Sequence, residues 1–330
     1  MIIYQQFADQ LRHHSRRAKR ALLTITEGPD GDSIGSMLAT AQVLEQLGVA
    51  STCYSPDAMP PMFDYLRGRH QVLRELPDPV HSFPIIILFD AGDVRRTPLV
   101  HDIVKRDKNN TVVVNIDHHP TVTVFQDQSA VDLNLVDTRA AATTEMLYHL
   151  FRAMGLSLDR HAATCLLTGI LTDTGHFSNL GTTAGAMDVA AQLMAKGGEH
   201  RVITAATMRN KSMATLKLWG RALSRLHVNE RQRMVTTVIT LQDLEECKVD
   251  HEATTGIANF LNALSEGQVA LVLQEAPDGV IKGSLRTTGQ TNVADLAQEF
   301  GGGGHPKAAG FRIKGKLVKH REGWRVEPNS

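Results

Sequence analysis

The sequence predicts an α/β protein with an N-terminal parallel-sheet domain and a smaller C-terminal α/β domain, joined by a helical connector. Three observations predict it. Continuous apolar runs, rather than alternating ones, recur through the first 120 residues, the pattern of strands buried on both faces. Helical patterns fall between those runs, as in successive βαβ units. After a long helical stretch the strand pattern restarts near Met234, and 330 residues suit two domains better than one. The expected division is an N-terminal domain over 1–196, a helical connector over 197–226 and a C-terminal domain over 227–330.

The chain opens with a short amphipathic helix around Phe7 and Leu11, whose basic cluster (Arg12, Arg16, Arg17, Lys19, Arg20) reads as a solvated face. Ala21–Ile25 is a buried strand running into the turn Gly28-Pro29-Asp30-Gly31-Asp32 and a helix from about Ile34 to Leu47. Val49–Tyr54 is strand-like. Pro84–Phe89 (PIIILF) is an apolar strand ending at Asp90, Thr97–Lys105 is helical, and Thr111–Ile116 (TVVVNI) is a strand ending at Asp117. Helices follow at Ala140–Met154, Leu158–Leu171 and Thr183–Lys196, with a break at Thr172–Leu180 and Gly197-Gly198 as a stop. Lys211–Leu226 is helical and fits the connector. Strands at Met234–Ile239, Val269–Gln274 and Val280–Arg286 alternate with helices near Thr254–Leu264 and Val293–Phe300. A further helix is expected to begin near Pro306.

In such sheets a ligand sits beyond the carboxyl ends of the strands. The polar residues gather there: Asp30 and Asp32, Asp90, then Asp117-His118-His119, and Asp173 after a long apolar helix. Gly31 gives the backbone freedom that lets the carboxylates of Asp30 and Asp32 turn into one cavity. Clustered carboxylates repel unless a cation neutralises them or they share protons. Carboxylate and imidazole ligands without thiolate suit Mn²⁺ or Mg²⁺, and Mn²⁺ better where His takes part. Two such ions about 3.5–4 Å apart activate a water and clamp a phosphoryl group, with Asp90 well placed between them. A second signal is Gly301-Gly302-Gly303-Gly304-His305-Pro306-Lys307-Ala308-Ala309-Gly310. Its open backbone amides and Lys307 suit an anion, and Arg286 offers a planar fork for a phosphate or carboxylate.

Together these residues resemble the DHH phosphoesterase family with its C-terminal DHH-associated domain. PDGD at 29–32, FDAGD at 89–93, IDHH at 116–119 and LTDTG at 171–175 match the four N-terminal motifs in order, and SLR at 284–286 with the glycine-rich segment matches the associated domain. The length and short connector resemble the nano-RNase/pAp-phosphatase type. The resemblance implies hydrolysis of very short oligoribonucleotides (nanoRNA) and of 3′-phosphoadenosine 5′-phosphate (pAp). It implies two Mn²⁺, one held by Asp32, Asp90, His118 and Asp173, the other by Asp30, Asp90 and a His four residues before Asp30. It implies that His119, beside Asp117, contacts the scissile phosphate, and that Arg286, Gly303, Gly304, His305 and Lys307 hold the nucleotide.

One position departs from the family: four residues before Asp30 stands Thr26, a poor neutral ligand. Asp30, Asp90 and water can still hold a weaker ion, Glu27 can substitute, or one ion binds alone; a retained but weakened site is favoured. His176 stands where a longer basic residue is expected, either contacting substrate or capping the turn. The same motifs serve a cyclic di-AMP or linear dinucleotide phosphodiesterase, and Thr26 leaves room for a nucleotide-binding regulatory protein with impaired turnover. A manganese pyrophosphatase and a processive exonuclease fit less well.

Composition narrows the partners. Lys plus Arg equals Asp plus Glu at 35 each, which excludes coating of long duplex DNA by bulk positive charge. Residues 281–330 nonetheless hold nine Lys/Arg against four acids, a local +5, as a short polyanion requires. The expected partners are short single-stranded oligoribonucleotides or small nucleotides, with a homodimer left open. Three widely spaced Cys make no disulfide framework, so a reducing, cytoplasmic setting is expected. The N-terminal segment lacks a secretory h-region and no apolar run reaches 18 residues, so no membrane partner is expected.

Overall fold

The computed structural model describes residues 2–15, 18–92, 94–119, 130–208, 211–261, 264, 267–320 and 323–327. Arg16 and Arg17 of the basic cluster and Asp93 of the second motif lie outside them. The chain forms two compact units, Met1–Asn210 and Lys211–Ser330.

The first unit runs α1 (Ile2–Ser15), β1 (Arg20–Thr24), α2 (Gly31–Gln46), β2 (Ala50–Tyr54), β3 (Ile85–Phe89), α3 (Val100–Lys105), β4 (Val112–Asp117), β5 (Leu133–Val136), α4 (Thr143–Ala153), α5 (Arg160–Asp173), α6 (Ala184–Ala195) and α7 (His200–Met208). The strands form a parallel sheet in the order β2-β1-β3-β4-β5. Alternate residues of one strand enter two separate cores. Leu23, Ile87, Phe89, Val114 and Ile116 pack under α2, α4 and α5, while Leu22, Ile86, Leu88 and Val113 pack with Ile103 of α3. A strand apolar on both faces must read as a continuous apolar run, which is why β1, β3 and β4 were visible in sequence. The edge strand β5 was not: it is four residues long, and its Asn134 is exposed and accepts a hydrogen bond from Asn115 of β4.

The second unit runs α8 (Met213–Leu223), β6 (His227–Asn229), β7 (Met234–Ile239), α9 (Leu241–Cys247), α10 (Ile257–Leu261), β8 (Val269–Ala276), β9 (Val280–Thr287), α11 (Val293–Gln298), β10 (Gly303–His305), β11 (Ala308–Lys314), β12 (Lys316–His320) and β13 (Gly323–Glu327). Six strands form a mixed sheet in the order β10-β11-β9-β8-β7-β6, and β12 pairs with β13. Of the two helices in the segment 197–226, α7 belongs to the first unit and α8 to the second.

The helix expected at Pro306 is absent. Pro306 and Lys307 form the turn of the β10–β11 hairpin. The reason lies in how closely the glycines approach the next strand. A Cβ on Gly302 would lie 2.2 Å from the carbonyl oxygen of Gly310, and Gly304, at φ +146°, would carry one 2.6 Å from that of Ala308. The amides of Gly301 and Gly302 close the end of α11, donating to Gln298 and Ala297 carbonyls. No helix of the described residues is long and apolar enough to cross a membrane.

Candidate active site

The turn after β1 delivers Asp30 to the N-cap of α2. Its Oδ1 accepts from Asp32 N, Ser33 N and Ser33 Oγ at 3.1, 3.0 and 2.9 Å, and Ser33 Oγ in return accepts from Asp30 N, a reciprocal capping box. Two residues on, Asp32 turns inward and is fully buried. Its Oδ2 accepts from Thr143 N at 2.6 Å, and its Oδ1 from Thr144 N and Thr144 Oγ1 at 2.9 and 2.6 Å. These are the first amides of α4, whose own N-cap, Ala142, offers no side-chain acceptor. Asp32 therefore caps α4 across 111 residues of sequence, and the N-terminal dipole of that helix favours its charge. Gly169 of α5 passes so close that a Cβ there would sit 2.4 Å from Asp32 Oδ1.

Asp90 follows β3 in a left-handed conformation, φ 53°, which costs a non-glycine residue roughly 1–2 kcal/mol. Its amide donates to Ile116 of β4, and its Oδ1 accepts from Thr143 Oγ1 at 3.3 Å. At the end of β4, Asp117 is committed to its neighbours. Oδ2 accepts from Gly92 N at 2.6 Å, and Oδ1 accepts from the backbone and Nδ1 of His119 at 3.0 and 2.9 Å. His119 Nδ1 also lies 3.2 Å from Asp90 Oδ1.

His118 is the centre of the arrangement. Its Nδ1 donates to the carbonyl of Ala140 at 3.3 Å, which leaves Nε2 as the nitrogen that can ligate a metal once it gives up its proton. That Nε2 is buried with no aligned hydrogen-bond partner, and it faces Asp173 Oδ2 at 3.2 Å, Asp90 Oδ1 at 3.6 Å and Asp32 Oδ2 at 4.0 Å. Ligand atoms of Asp32, His118 and Asp173 lie within 4.8 Å of one another, as do those of Asp90, His118 and His119. An orphaned imidazole nitrogen among carboxylates, its other nitrogen fixed by a carbonyl, fits a divalent ion.

The clustered carboxylates and imidazoles shift one another's protonation. Burial and the charges of Asp173 and Asp90 push the Asp32 carboxyl well above its ordinary range, and burial raises Asp173 likewise. Asp30 keeps an exposed surface, yet its crowded surroundings, then Asp90 and Asp173, push it up to about 7. Burial also works on Asp90, but the His119 hydrogen bond and the two imidazole charges outweigh it and lower the carboxyl. Burial opposes charge on His118 and His119, but their carboxylate neighbours win and raise them to about 9 and about 11.

The structure thus brings Asp32, Asp90, His118, His119 and Asp173 together, with Asp117 behind His119. Asp30 borders them but belongs to neither ligand grouping among the described residues. Thr26 is buried beside the end of β1 and Glu27 is exposed; neither joins a grouping. Thr143, Thr144 and Gly169 escaped the sequence reading, since nothing in a helical pattern shows that its first amides serve a distant carboxylate.

In the second unit, strand register sets His305, Ala308 and Arg286 in one row across β10, β11 and β9, two strand spacings or roughly 10 Å wide. Arg286 Nε donates to Asn259 Oδ1 at 2.6 Å and Nη1 to Leu285 O at 2.8 Å. Burial lowers its pKa. Gly303 is exposed and Gly304 sits opposite Ala309. Lys307 points elsewhere: its ammonium donates to the carbonyl of Gly289.

Comparison with known proteins identifies a family. The DHH family, N-terminal domain, matches residues 21–170, and the DHHA1 domain matches 231–321. The chain is 30% identical over 290 residues to the bifunctional oligoribonuclease and PAP phosphatase NrnA of Thermus thermophilus, covering 87% of this chain and 82% of that one. It is 26% identical to the cyclic-di-AMP phosphodiesterase PdeA of Listeria monocytogenes, covering 89% of this chain and 45% of that one. An exopolyphosphatase-related protein from Bacteroides fragilis shares the fold with a TM-score of 0.85 at 23% identity, covering 94% of this chain and 92% of that one. The chain belongs to the DHH family of metal-dependent phosphoesterases, in the form that carries a C-terminal DHHA1 domain.

Proposed function

We propose that this chain hydrolyses very short single-stranded oligoribonucleotides and 3′-phosphoadenosine 5′-phosphate, with Mn²⁺ held by Asp32, Asp90, His118 and Asp173. The observation that carries the reading is the buried, unpartnered His118 Nε2 facing three carboxylates; mixed imidazole and carboxylate ligands favour Mn²⁺ over Mg²⁺. Ions at such a site supply a water nucleophile at neutral pH and neutralise phosphoryl charge.

The chain's own residues do the rest. Asp117 fixes the His119 ring by accepting from Nδ1, so the opposite nitrogen, Nε2, is the one that turns to a phosphoryl oxygen. Against the cost of burial, Asp117 and Asp90 raise the His119 imidazole above its ordinary range, and a charged imidazole there would stabilise the phosphoryl transition state. Thr143 and Thr144 hold Asp32 and Asp90 in place. In the second unit the row from His305 to Arg286 has the width of about one nucleotide, which suits a short ligand. A second ion on the Asp30 side would be weakly held: Thr26 offers it no nitrogen, and one oxygen of Asp30 already accepts three hydrogen bonds.

The Listeria relative supports a second reading, hydrolysis of cyclic di-AMP or a linear dinucleotide. A panel of pAp, 5′-phosphorylated two- to five-mers, pApA, cyclic di-AMP and pyrophosphate, assayed with Mn²⁺, separates the two. Turnover of pAp and the short oligomers is expected. Preference for cyclic di-AMP would move the assignment to the second reading. Tight nucleotide binding without any turnover would make the chain a regulator.

A further inference from the structure

Helix α5 delivers Asp173 and then stops in an unusual turn. Gly175, His176 and Phe177 are all left-handed, at φ 55°, 57° and 66°. Glycine adopts this conformation freely, but a histidine and a phenylalanine do so only where their surroundings impose it. Two side-chain anchors are visible. Phe177 packs against the main core of the first unit. The His176 ring reaches α7, where its Nε2 lies 2.9 Å from Thr207 Oγ1.

The direction of that bond is fixed. Thr207 Oγ1 donates its single proton to the Ile203 carbonyl at 2.8 Å. It must therefore accept from His176 Nε2–H. The turn is also laced back to Asp173 itself. His176 N donates to Leu171 O at 2.7 Å, Phe177 N to Thr174 Oγ1 at 3.1 Å, and Asn179 Nδ2 to the Asp173 carbonyl at 2.7 Å. The carboxylate of Asp173, held at the root of this turn, lies 3.2 Å from His118 Nε2.

We propose that His176, gripped by Thr207, is a positioning residue that holds the left-handed turn and thereby sets Asp173 against His118 for metal binding. This rests on the reading of Asp173 as a ligand. His176 touches no reacting atom. It acts through the backbone, so its loss affects how well the site is preformed and not the chemistry of a filled site. The histidine found where a longer basic residue was expected is then explained by its reach to α7.

The test is Mn²⁺ affinity of the full chain, measured by titration calorimetry or electron paramagnetic resonance, beside the thermal midpoint of the metal-free protein. Two variants cut the tie differently. Thr207→Val keeps the shape and removes the acceptor. His176→Asn keeps a residue tolerant of the left-handed region but is too short to reach α7. Each is expected to weaken Mn²⁺ binding about tenfold, the lower end for outer partners of metal ligands, with little change in the metal-free midpoint and with kcat at saturating Mn²⁺ preserved within about twofold. Thr207→Ser restores wild-type affinity. Wild-type affinity in both Thr207→Val and His176→Asn, or a Thr207→Ser as weak as the valine variant, overturns the proposal. Asp173→Asn separates it from the reading beneath: unchanged affinity there removes Asp173 as a ligand and both ideas fall.

Discussion

Asp32 shows how one residue serves structure and chemistry together. A carboxylate with no exposed surface is tolerable because two amides and a hydroxyl at the start of α4 satisfy it, and because Gly169 leaves it room. Gly169→Ala should place a methyl group onto Asp32 Oδ1 and Thr144 Oγ1. The expected cost is about 1–3 kcal/mol of stability, as for other overpacked cores, with weakened Mn²⁺ binding; urea unfolding and metal titration check both. Thr26→His tests the second ion. Mn²⁺ occupancy on the Asp30 side, counted by anomalous diffraction, should rise in the variant, and equal full occupancy in both proteins would show that Thr26 costs nothing. The motif aspartates and histidines were legible because they follow strands or, for Asp173, close an apolar helix, where polar residues interrupt apolar runs. Thr143, Thr144 and the partner of His176 were not, because their bonds span 111, 112 and 31 residues and leave no local pattern.

At the scale of elements, β1, β3 and β4 declared themselves by burial on both faces. β5, β6 and β10 are short, and β12–β13 is mostly exposed or half-buried, so each carries too few apolar residues to stand out. The predicted helix at Pro306 failed for a different reason. Proline after glycines reads equally as a helix start or as a hairpin turn, and only the 2.2 Å approach at Gly302 decides. Helix α9 supplies a pH prediction. Its capping box joins Thr240 to Asp243, and Asp243 is gripped by Arg225 and approached by Arg221 of the α8 region. Burial pushes the Asp243 carboxyl up, but Arg225 and the Thr240 amide outweigh it and hold it down at about 2. Its unfolded value is about 3.9, so its folded pKa is depressed. The stabilisation is complete above about pH 4 and is lost as pH falls toward 2. The gap in urea midpoint between wild type and Asp243→Asn should therefore narrow from pH 7 to pH 3; a constant gap would sink the idea.

Across the whole molecule, zero net charge conceals a division. The first unit holds 19 Lys/Arg against 22 Asp/Glu, and the second 16 against 13, so −3 is set against +3. On the proposed function, the acids of the first unit would serve cations and the surplus cations of the second would serve phosphates. Substrate affinity should then depend on salt in proportion to phosphate count, by roughly 0.7 in log–log slope for each phosphate neutralised on a single strand. Salt titration of KM for pAp and for 5′-phosphorylated two- to five-mers should give a slope that steepens with length while kcat holds steady. Identical slopes would mean that the same number of phosphates is gripped, whatever the chain length. The two-unit plan was legible from the restart of the strand pattern. The charge division was only half legible, because its boundary emerges from contacts and not from composition.

The β10–β11 hairpin leaves one opening for tuning. Gly302 and Gly304 are locked by neighbouring backbone, and Gly301 by its left-handed φ of 72°. Gly303 has an ordinary φ and nothing within 4 Å of where its Cβ would stand. Evolution or an engineer can therefore add a side chain there, beside the His305–Arg286 row, without disturbing the fold. Of the four consecutive glycines, it is the one with both an ordinary φ and open space for a Cβ.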